Sequence, residues 1–392
     1  MKHLQLRYNL LQIFYWLTSC TIYGYTAVFL QYKGLNNTQI GIVTGLGAFL
    51  SIFSSPYISS LVTRIKMLTI RKLMLVTYII MFCIWIIMIV VPLPSYVLIG
   101  LFILIINMIV SNVPLLSMIC MDYLKSGHYL NFGLARGAGS VSYAVSAVLL
   151  GQFIDLLNPS VLAIAHTIGA IFLFTDLFTM PDISISSAKD NQKDSISMYH
   201  FILKYKRFLM ILLAFGFLFG ASSTLATFLV NIVKKLGGNT SVYGIAIFCM
   251  AASEMPFMAI AHSLMKRIRT ESILLFASLM YIFRNFLICF APSLSVLLIG
   301  LAFQGISYGL FTAAITYYVN EAVEEKDTMM GQTMIGVLTT GMGATIGNFL
   351  GGYLQDCFGL PVMLAFALVL TVIGVLLMII IIAVKRQKDT AF

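Results

Sequence analysis

The chain has 392 residues, 60% of them hydrophobic and 10% charged, with a net charge of +10. Soluble domains carry roughly 25% charged residues, so a water-soluble surface is excluded. Apolar runs of about 20 residues, the length that crosses a hydrocarbon core of roughly 30 Å, recur along the whole chain. The cations sit in short loops between these runs, a pattern of membrane topology and not of a nucleic-acid-binding face.

Taken in chain order, the apolar runs predict helices near 9–31, 39–63, 70–91, 95–118, 132–156 and 160–180. Six more follow near 207–233, 240–264, 271–290, 294–319, 330–356 and 360–384. The first run contains Leu17-Thr18-Ser19-Cys20, the tetrapeptide of a lipoprotein cleavage site. It continues apolar to Leu30, too long for a signal-peptide core, and is expected to be a span. Residues 181–206, rich in Ser, Asp, Asn and Lys, form the only long polar segment. The expected fold class is therefore an all-α membrane protein: twelve transmembrane helices in two six-helix pseudo-symmetric halves, 1–180 and 207–392, joined by a linker over 181–206.

Orientation follows from the cations, because cytoplasmic loops retain Lys and Arg. Of the 24, 20 fall on one side, from Lys2, Arg7, Arg64 and Lys66 through Lys266, Arg267 and Arg269 to Lys388. The other side holds 3, Lys33, Lys234 and Lys235, and the remaining one is Arg284, inside a span. Both termini are expected in the cytoplasm, which requires an even number of crossings. The halves also repeat each other: Gly151 and Asp155 close the fifth run as Gly352 and Asp356 close the eleventh, both at an offset of 201.

Charges inside spans are costly and mark functional or paired sites. Glu254 lies about 14 residues into one run and Arg284 about 13 into the next, which returns across the membrane, so the two fall at similar depth. They could pair, and a carboxyl at that depth suits proton transfer. His166 and Asp176 read as snorkelling residues toward the two ends of the sixth run. Glu321, Glu324, Glu325 and Asp327 read as a solvated acidic loop. The six cysteines are scattered without a CxxC pair, so neither disulfides nor a metal site is expected. HExxH, paired aspartates within a span and a metal-ligand cluster are absent, which argues against an enzyme.

The stretch Asn131-Phe132-Gly133-Leu134-Ala135-Arg136, followed by Gly139, Val141, Tyr143 and Ala144, resembles the lactose-permease branch of the major facilitator superfamily. Ser253-Glu254-Met255-Pro256, Arg284 and Gln304-Gly305-Ile306-Ser307-Tyr308-Gly309 extend the resemblance through the second half. The resemblance implies a secondary active transporter that moves a sugar, oligosaccharide or nucleoside by alternating access, with proton-coupled uptake. It further implies that Arg136 binds hydroxyls, Tyr143 stacks on the solute ring and Asp122 completes the first half of the site. Glu254, Gln304 and Tyr308 would contribute from the second half, with Glu254 carrying the proton and Arg284 poising it. No cofactor is implied beyond the proton gradient. The expected partners are a small solute and the lipid bilayer, with no nucleic acid, and the expected state is a monomer in the cell membrane.

The sequence departs from that branch where His is usual, at Gln304, and where an acid is usual, at Ser307. Tyr143 stands where the permease has Trp, and the Gly-rich loop motif is reduced to Thr63-Arg64-Ile65-Lys66 with Arg71-Lys72. Two other functional readings stand beside the sugar permease. One is an exporter of amphipathic or cationic compounds, for which 22 Met and 29 Phe could supply an adaptable cavity. The other is a receptor or scaffold that keeps the fold without the transport cycle.

Overall fold

A computed structural model describes residues 4–65, 68–181 and 198–390, apart from the side chains of residues 63, 64, 262 and 385–390. Lys2, Lys66, Lys189, Lys193 and the terminal cations Lys385, Arg386 and Lys388 of the topology count lie outside that description, as does most of the loop motif at 63–67.

Among the described residues all regular structure is helical. The spans are α1 (Leu4–Gly24 and Thr26–Tyr32), α2 (Asn37–Arg64), α3 (Ile70–Val90), α4 (Ser95–Lys125), α5 (Phe132–Leu156) and α6 (Val161–Thr179). The rest are α7 (Lys206–Thr227), α8 (Thr240–Met265), α9 (Thr270–Cys289), α10 (Leu294–Ala322), α11 (Glu325–Phe358) and α12 (Leu360–Thr390). Eleven are long and apolar enough to cross a membrane alone, and α1, bent by 52° at Tyr25, makes the twelfth. Side-chain caps set several starts. Asn36 accepts from the Gln39 amide while Gln39 accepts from the Asn36 amide, a reciprocal box at the head of α2. Thr69 and Asn131 cap α3 and α5 through the Lys72 and Leu134 amides. Gly359, at φ +85°, turns the chain between α11 and α12. Three spans contain a π-helical stretch, Cys20–Gly24 in α1, Gly305–Gly309 in α10 and Val337–Gly343 in α11.

The chain divides into two compact units, Met1–Asp190 with Asn239–Phe248, and Asn191–Gly238 with Cys249–Phe392. In the first, α1 packs on α5 and α6, and α2 on α4. Hydropathy assigns 239–248 to the second half, yet these residues belong to the first unit. The Asp155 carboxylate accepts from the Thr240 and Ser241 amides at 3.0 and 2.7 Å, and the Tyr243 hydroxyl donates to the Gly24 carbonyl at 2.6 Å. The linker expected over 181–206 includes a helix, Met198–Lys204.

In the second unit α7 packs on α11 and α12. Gly216 and Gly220 of α7 meet Gly343 and Gly347 of α11 backbone to backbone. A Cβ on Gly347 would come within 2.3 Å of the Gly220 carbonyl oxygen, and one on Gly220 within 2.7 Å of the Gly343 oxygen. Two small-xxx-small faces thus interlock, which van der Waals packing in lipid requires. Beside this seam Phe215 stacks on Phe311 with centroids 4.0 Å apart.

Two expectations are corrected on burial. Asp176 and His166 do not snorkel: both are buried, with His166 Nδ1 2.9 Å from the Thr21 hydroxyl and its ring against Trp85. Arg71 instead donates to the Leu177 and Met180 carbonyls and Arg7 to that of Thr179, so two cations cap the C-terminus of α6. The acidic loop is also not simply solvated. Asp327 is 1% exposed and accepts from the Tyr205 hydroxyl at 2.7 Å and from Lys204 at 3.3 Å. Lys204 pairs with Glu324 at 2.6 Å, and Lys326 with Glu324 at 3.1 Å. Lys204 and Lys326 together hold the Glu324 carboxyl below its ordinary range, and the Lys204 ammonium is raised in turn by Glu324 and Tyr205.

Two outcomes are expected. Gly347→Val should destabilise the second unit by about 1–3 kcal/mol, because neither backbone can move away from the added methyls; thermal unfolding in detergent reads this. The Glu324 contribution has the sign of a depressed carboxyl. It is fully present above the unfolded pKa, near about 4.3, and is lost as pH falls through the lower folded value. A pH series of melting temperatures should therefore show an acid-side decline that flattens in Glu324→Gln, by a small amount because the pair faces solvent.

Candidate functional site

In the first unit, α1 carries Tyr8, Gln12 and Trp16 at four-residue spacing on one face. The Trp16 indole N–H donates to Gln12 Oε1 at 3.0 Å, Gln12 Nε2 to the Tyr8 hydroxyl at 3.0 Å, and Tyr8 to the Leu116 carbonyl at 2.9 Å. Gln12 is 1% exposed, so this chain of bonds fixes the indole from beneath. Opposite it on α5 stands Gly139, where a Cβ would come within 2.3 Å of the indole ring. Only glycine lets α5 approach this closely.

One turn before Gly139, the Arg136 guanidinium carbon lies 4.1 Å from the Trp16 ring centroid. That is a stacked cation–π arrangement, worth about 0.5–2 kcal/mol. Its Nη1 donates to the Ser140 hydroxyl at 2.7 Å. One turn after Gly139, the Tyr143 ring meets Trp16 edge-on, with centroids 6.2 Å apart and planes at 74°. The three side chains form a half-buried patch with two aromatic rings and a forked donor. Such a patch can hold a ring with apolar faces and hydroxylated edges.

The structure sets Arg136 and Tyr143 against the same ring, that of Trp16, and adds Trp16 and Gln12, which the sequence reading missed. A signal was available: Trp16 is one of only two tryptophans, set one turn from a glutamine inside a span. Asp122 is not brought in. It lines a separate small cleft with Thr69, Arg71, Ile119, Tyr123 and Pro181, and makes neither a hydrogen bond nor an ion pair with Arg136. Hydropathy puts Asp122 and Arg136 at one depth, but their helices turn them to different neighbours.

In the second unit, Gln304 Nε2 donates to Glu254 Oε1 at 3.1 Å. The Gly305 amide donates to the Ser253 hydroxyl at 3.0 Å, and a Cβ on Gly305 would come within 1.9 Å of the Ser253 carbonyl oxygen. Here α8 and α10 touch at their backbones, at the start of the π-helical stretch Gly305–Gly309. Tyr308 lies in that stretch, its ring 5.7 Å from Phe219. Ser307 turns its hydroxyl back to the Phe303 carbonyl at 2.8 Å.

Glu254 and Arg284, which their depth would allow to pair, do not form an ion pair. Arg284 is 1% exposed, and its Nη1 donates to the Ser222 hydroxyl and, at 3.3 Å, to Asn285 Oδ1. Asn285 in turn donates to Thr371 at 2.8 Å, tying α7, α9 and α12 around the buried cation. Glu254 still lies within reach of its charge. Matching depth puts both residues at one level, but Arg284 sits on the side of α9 that faces α7.

Polar and charged clusters set within helices long and apolar enough to cross a membrane define a multi-pass membrane transporter of the major-facilitator type. The chain belongs to the MFS_1 like family, whose model matches residues 5–380. It is 24% identical over 283 residues to the uncharacterized transporter YwbF of Bacillus subtilis, a match covering 71% of this chain and 69% of that one. It is 23% identical over 258 residues to a maltose permease of Geobacillus stearothermophilus, covering 66% of this chain and 64% of the permease. The chain therefore matches somewhat under two thirds of the permease's length. Among solved structures it is similar to a point mutant of the nucleoside transporter NupG, with a TM-score of 0.83 at 15% identity over 97% of this chain and 99% of that one. A bacterial homologue of the human lysosomal transporter Spinster, inward-facing and unoccupied, follows at a TM-score of 0.67, 14% identity and coverage of 97% and 95%. These relatives are transporters and not enzymes, and so is this chain.

Gln12→Leu should leave the Trp16 indole N–H without its acceptor and remove the donor to the Tyr8 hydroxyl, at a cost of about 1–3 kcal/mol. The readout is a lower melting temperature with a red-shifted Trp16 emission, resolved from Trp85 in a Trp85→Phe background.

Proposed function

We propose that this chain accumulates a small hydroxylated ring compound, a sugar, oligosaccharide or nucleoside, by proton-coupled alternating access. The observation that carries this reading is the Arg136 guanidinium stacked on Trp16 at 4.1 Å with Tyr143 edge-on beside it. A guanidinium held flat by stacking offers a fixed set of N–H donors, and adjacent aromatic faces favour a ring. The permease and NupG likenesses point to the same solute class.

Glu254 is the proton carrier in this reading. Its carboxyl accepts from the amide of Gln304 at 3.1 Å, a donor that carries no charge. Arg284, held by Ser222 and Asn285, acts on it through its field and not through a bond. Glu254 thus takes up and releases its proton with no histidine or second acid adjacent on α10. The proton gradient is the only driving force and no cofactor takes part. The chain works as a monomer in the cell membrane with both termini in the cytoplasm, the orientation that the 20-to-3 distribution of cations supports.

Uptake of labelled maltose, related sugars and nucleosides into proteoliposomes with an imposed pH gradient tests this. Arg136→Lys and Trp16→Ala should each lower uptake at least tenfold, since both remove the stack. Glu254→Gln should abolish gradient-driven accumulation while preserving counterflow exchange. Full accumulation in Glu254→Gln would overturn the proton-carrier role, and failure of every sugar and nucleoside would overturn the solute class.

A further inference from the structure

The turn between α8 and α9 encloses an open cavity of about 470 Å³ in the second unit, lined by Lys266, Arg267, Ile268 and Arg269 from the turn and Glu271 and Glu321 from the flanking helices. Its volume lies within the range of about 300–1,000 Å³ typical of ligand pockets. The acids at its wall are already engaged. Glu271 faces Arg207 at 3.0 Å and accepts from the Tyr318 hydroxyl at 2.9 Å, and Glu321 accepts from the Thr270 hydroxyl at 2.6 Å. The three cations are not engaged. All are exposed, and none makes an ion pair or side-chain hydrogen bond with any described residue. With Glu271 neutralised by Arg207, the wall carries three positive charges against the one of Glu321, a net of +2.

Positive loops on this side are expected from topology alone, but dispersed loop cations do not enclose a cavity. Here two guanidiniums and an ammonium converge on one, and the forked Arg geometry matches a phosphate group. Thr270 and Glu271, the first residues of α9, line the same wall. Next to the cations the surface becomes apolar: Ile268 is 44% exposed within the turn, and Ile260, Phe276 and Phe283 continue outward-facing down α8 and α9. A ligand seated here would thus have an anionic head among the cations and an apolar body along the two helices.

We propose that this cavity is a binding site for the phosphate headgroup of an anionic phospholipid, its acyl chains lying along α8 and α9. Basic pockets at this level of membrane helices suit such headgroups. The site shares no residue with the Arg136 or Glu254 clusters and does not depend on which solute is carried.

The test uses the full chain purified in a neutral maltoside detergent. Phosphatidylglycerol added to the micelles should raise the melting temperature by several degrees, and phosphatidylcholine should not. The K266Q/R267Q/R269Q variant should keep the wild-type melting temperature without added lipid, because the three side chains are exposed, and should lose the phosphatidylglycerol shift. R269Q alone should lose part of it. K125Q/K206Q, which removes cations elsewhere on the same side, should keep it in full. A shift undiminished in the triple variant, or equal with phosphatidylcholine, overturns the proposal. Inorganic phosphate at millimolar concentration reproducing the whole shift overturns the lipid assignment. If the triple variant does not fold, retention of the full shift in R269Q and in R267Q alike overturns the site.

Discussion

Water is missing from the hydrocarbon core, and the rest of this structure follows from that. Backbone amides and carbonyls there have no solvent to bond, so each span is a helix that satisfies itself. Polar side chains follow the same rule. Tyr8 donates to a carbonyl of α4, the Arg284 guanidinium turns to Ser222 and Asn285, and His166 is held by Thr21. Attraction between helices cannot come from hiding apolar surface, since lipid is as apolar as leucine, and so close contact becomes the substitute. The glycine seam between α7 and α11 and the glycine that admits the Trp16 indole are two cases of that contact, one structural and one at the candidate site.

The helices themselves are legible because hydropathy is a direct record of depth. Predicted runs such as 70–91, 132–156 and 240–264 agree with Ile70–Val90, Phe132–Leu156 and Thr240–Met265 to within a residue at each end. Depth, however, says nothing about which way a side chain points around its helix axis. That is why a shared level makes Glu254 and Arg284 look like partners, and why Asp122 groups with Arg136 in the sequence. The same gap hides Trp16, whose role depends on α1 meeting α5 at Gly139. Asp327 reads as one of four solvated acids, although the helix Met198–Lys204 delivers Lys204 and Tyr205 to it. Contacts of that kind join residues more than a hundred positions apart, and no local pattern announces them.

The two polar clusters differ in how they are held. The Arg136 patch rests on rigid packing: a stacked cation, a ring fixed by a buried amide and a glycine with no room to spare. The Glu254–Gln304 contact rests on a helix that departs from regular geometry at the next residue. A recognition surface gains from being preorganised, whereas a group that exchanges a proton between two environments needs surroundings with more than one stable arrangement.

The π-helical stretches in α1, α10 and α11 give that contrast a mechanical form. A π turn stores one residue more than an α turn, and one residue amounts to a rotation of about 100° about the helix axis. In α10 the stored residue sits between Gln304 and the helix that follows Gly309. Passing it along the helix by a single turn would swing Gln304 away from Glu254 while leaving Leu310 onward in place, with an axial shift of only about 1.5 Å in the segment it passes. Such a span can turn a polar side chain to a new neighbour as a camshaft does, with its ends still anchored at both surfaces of the membrane.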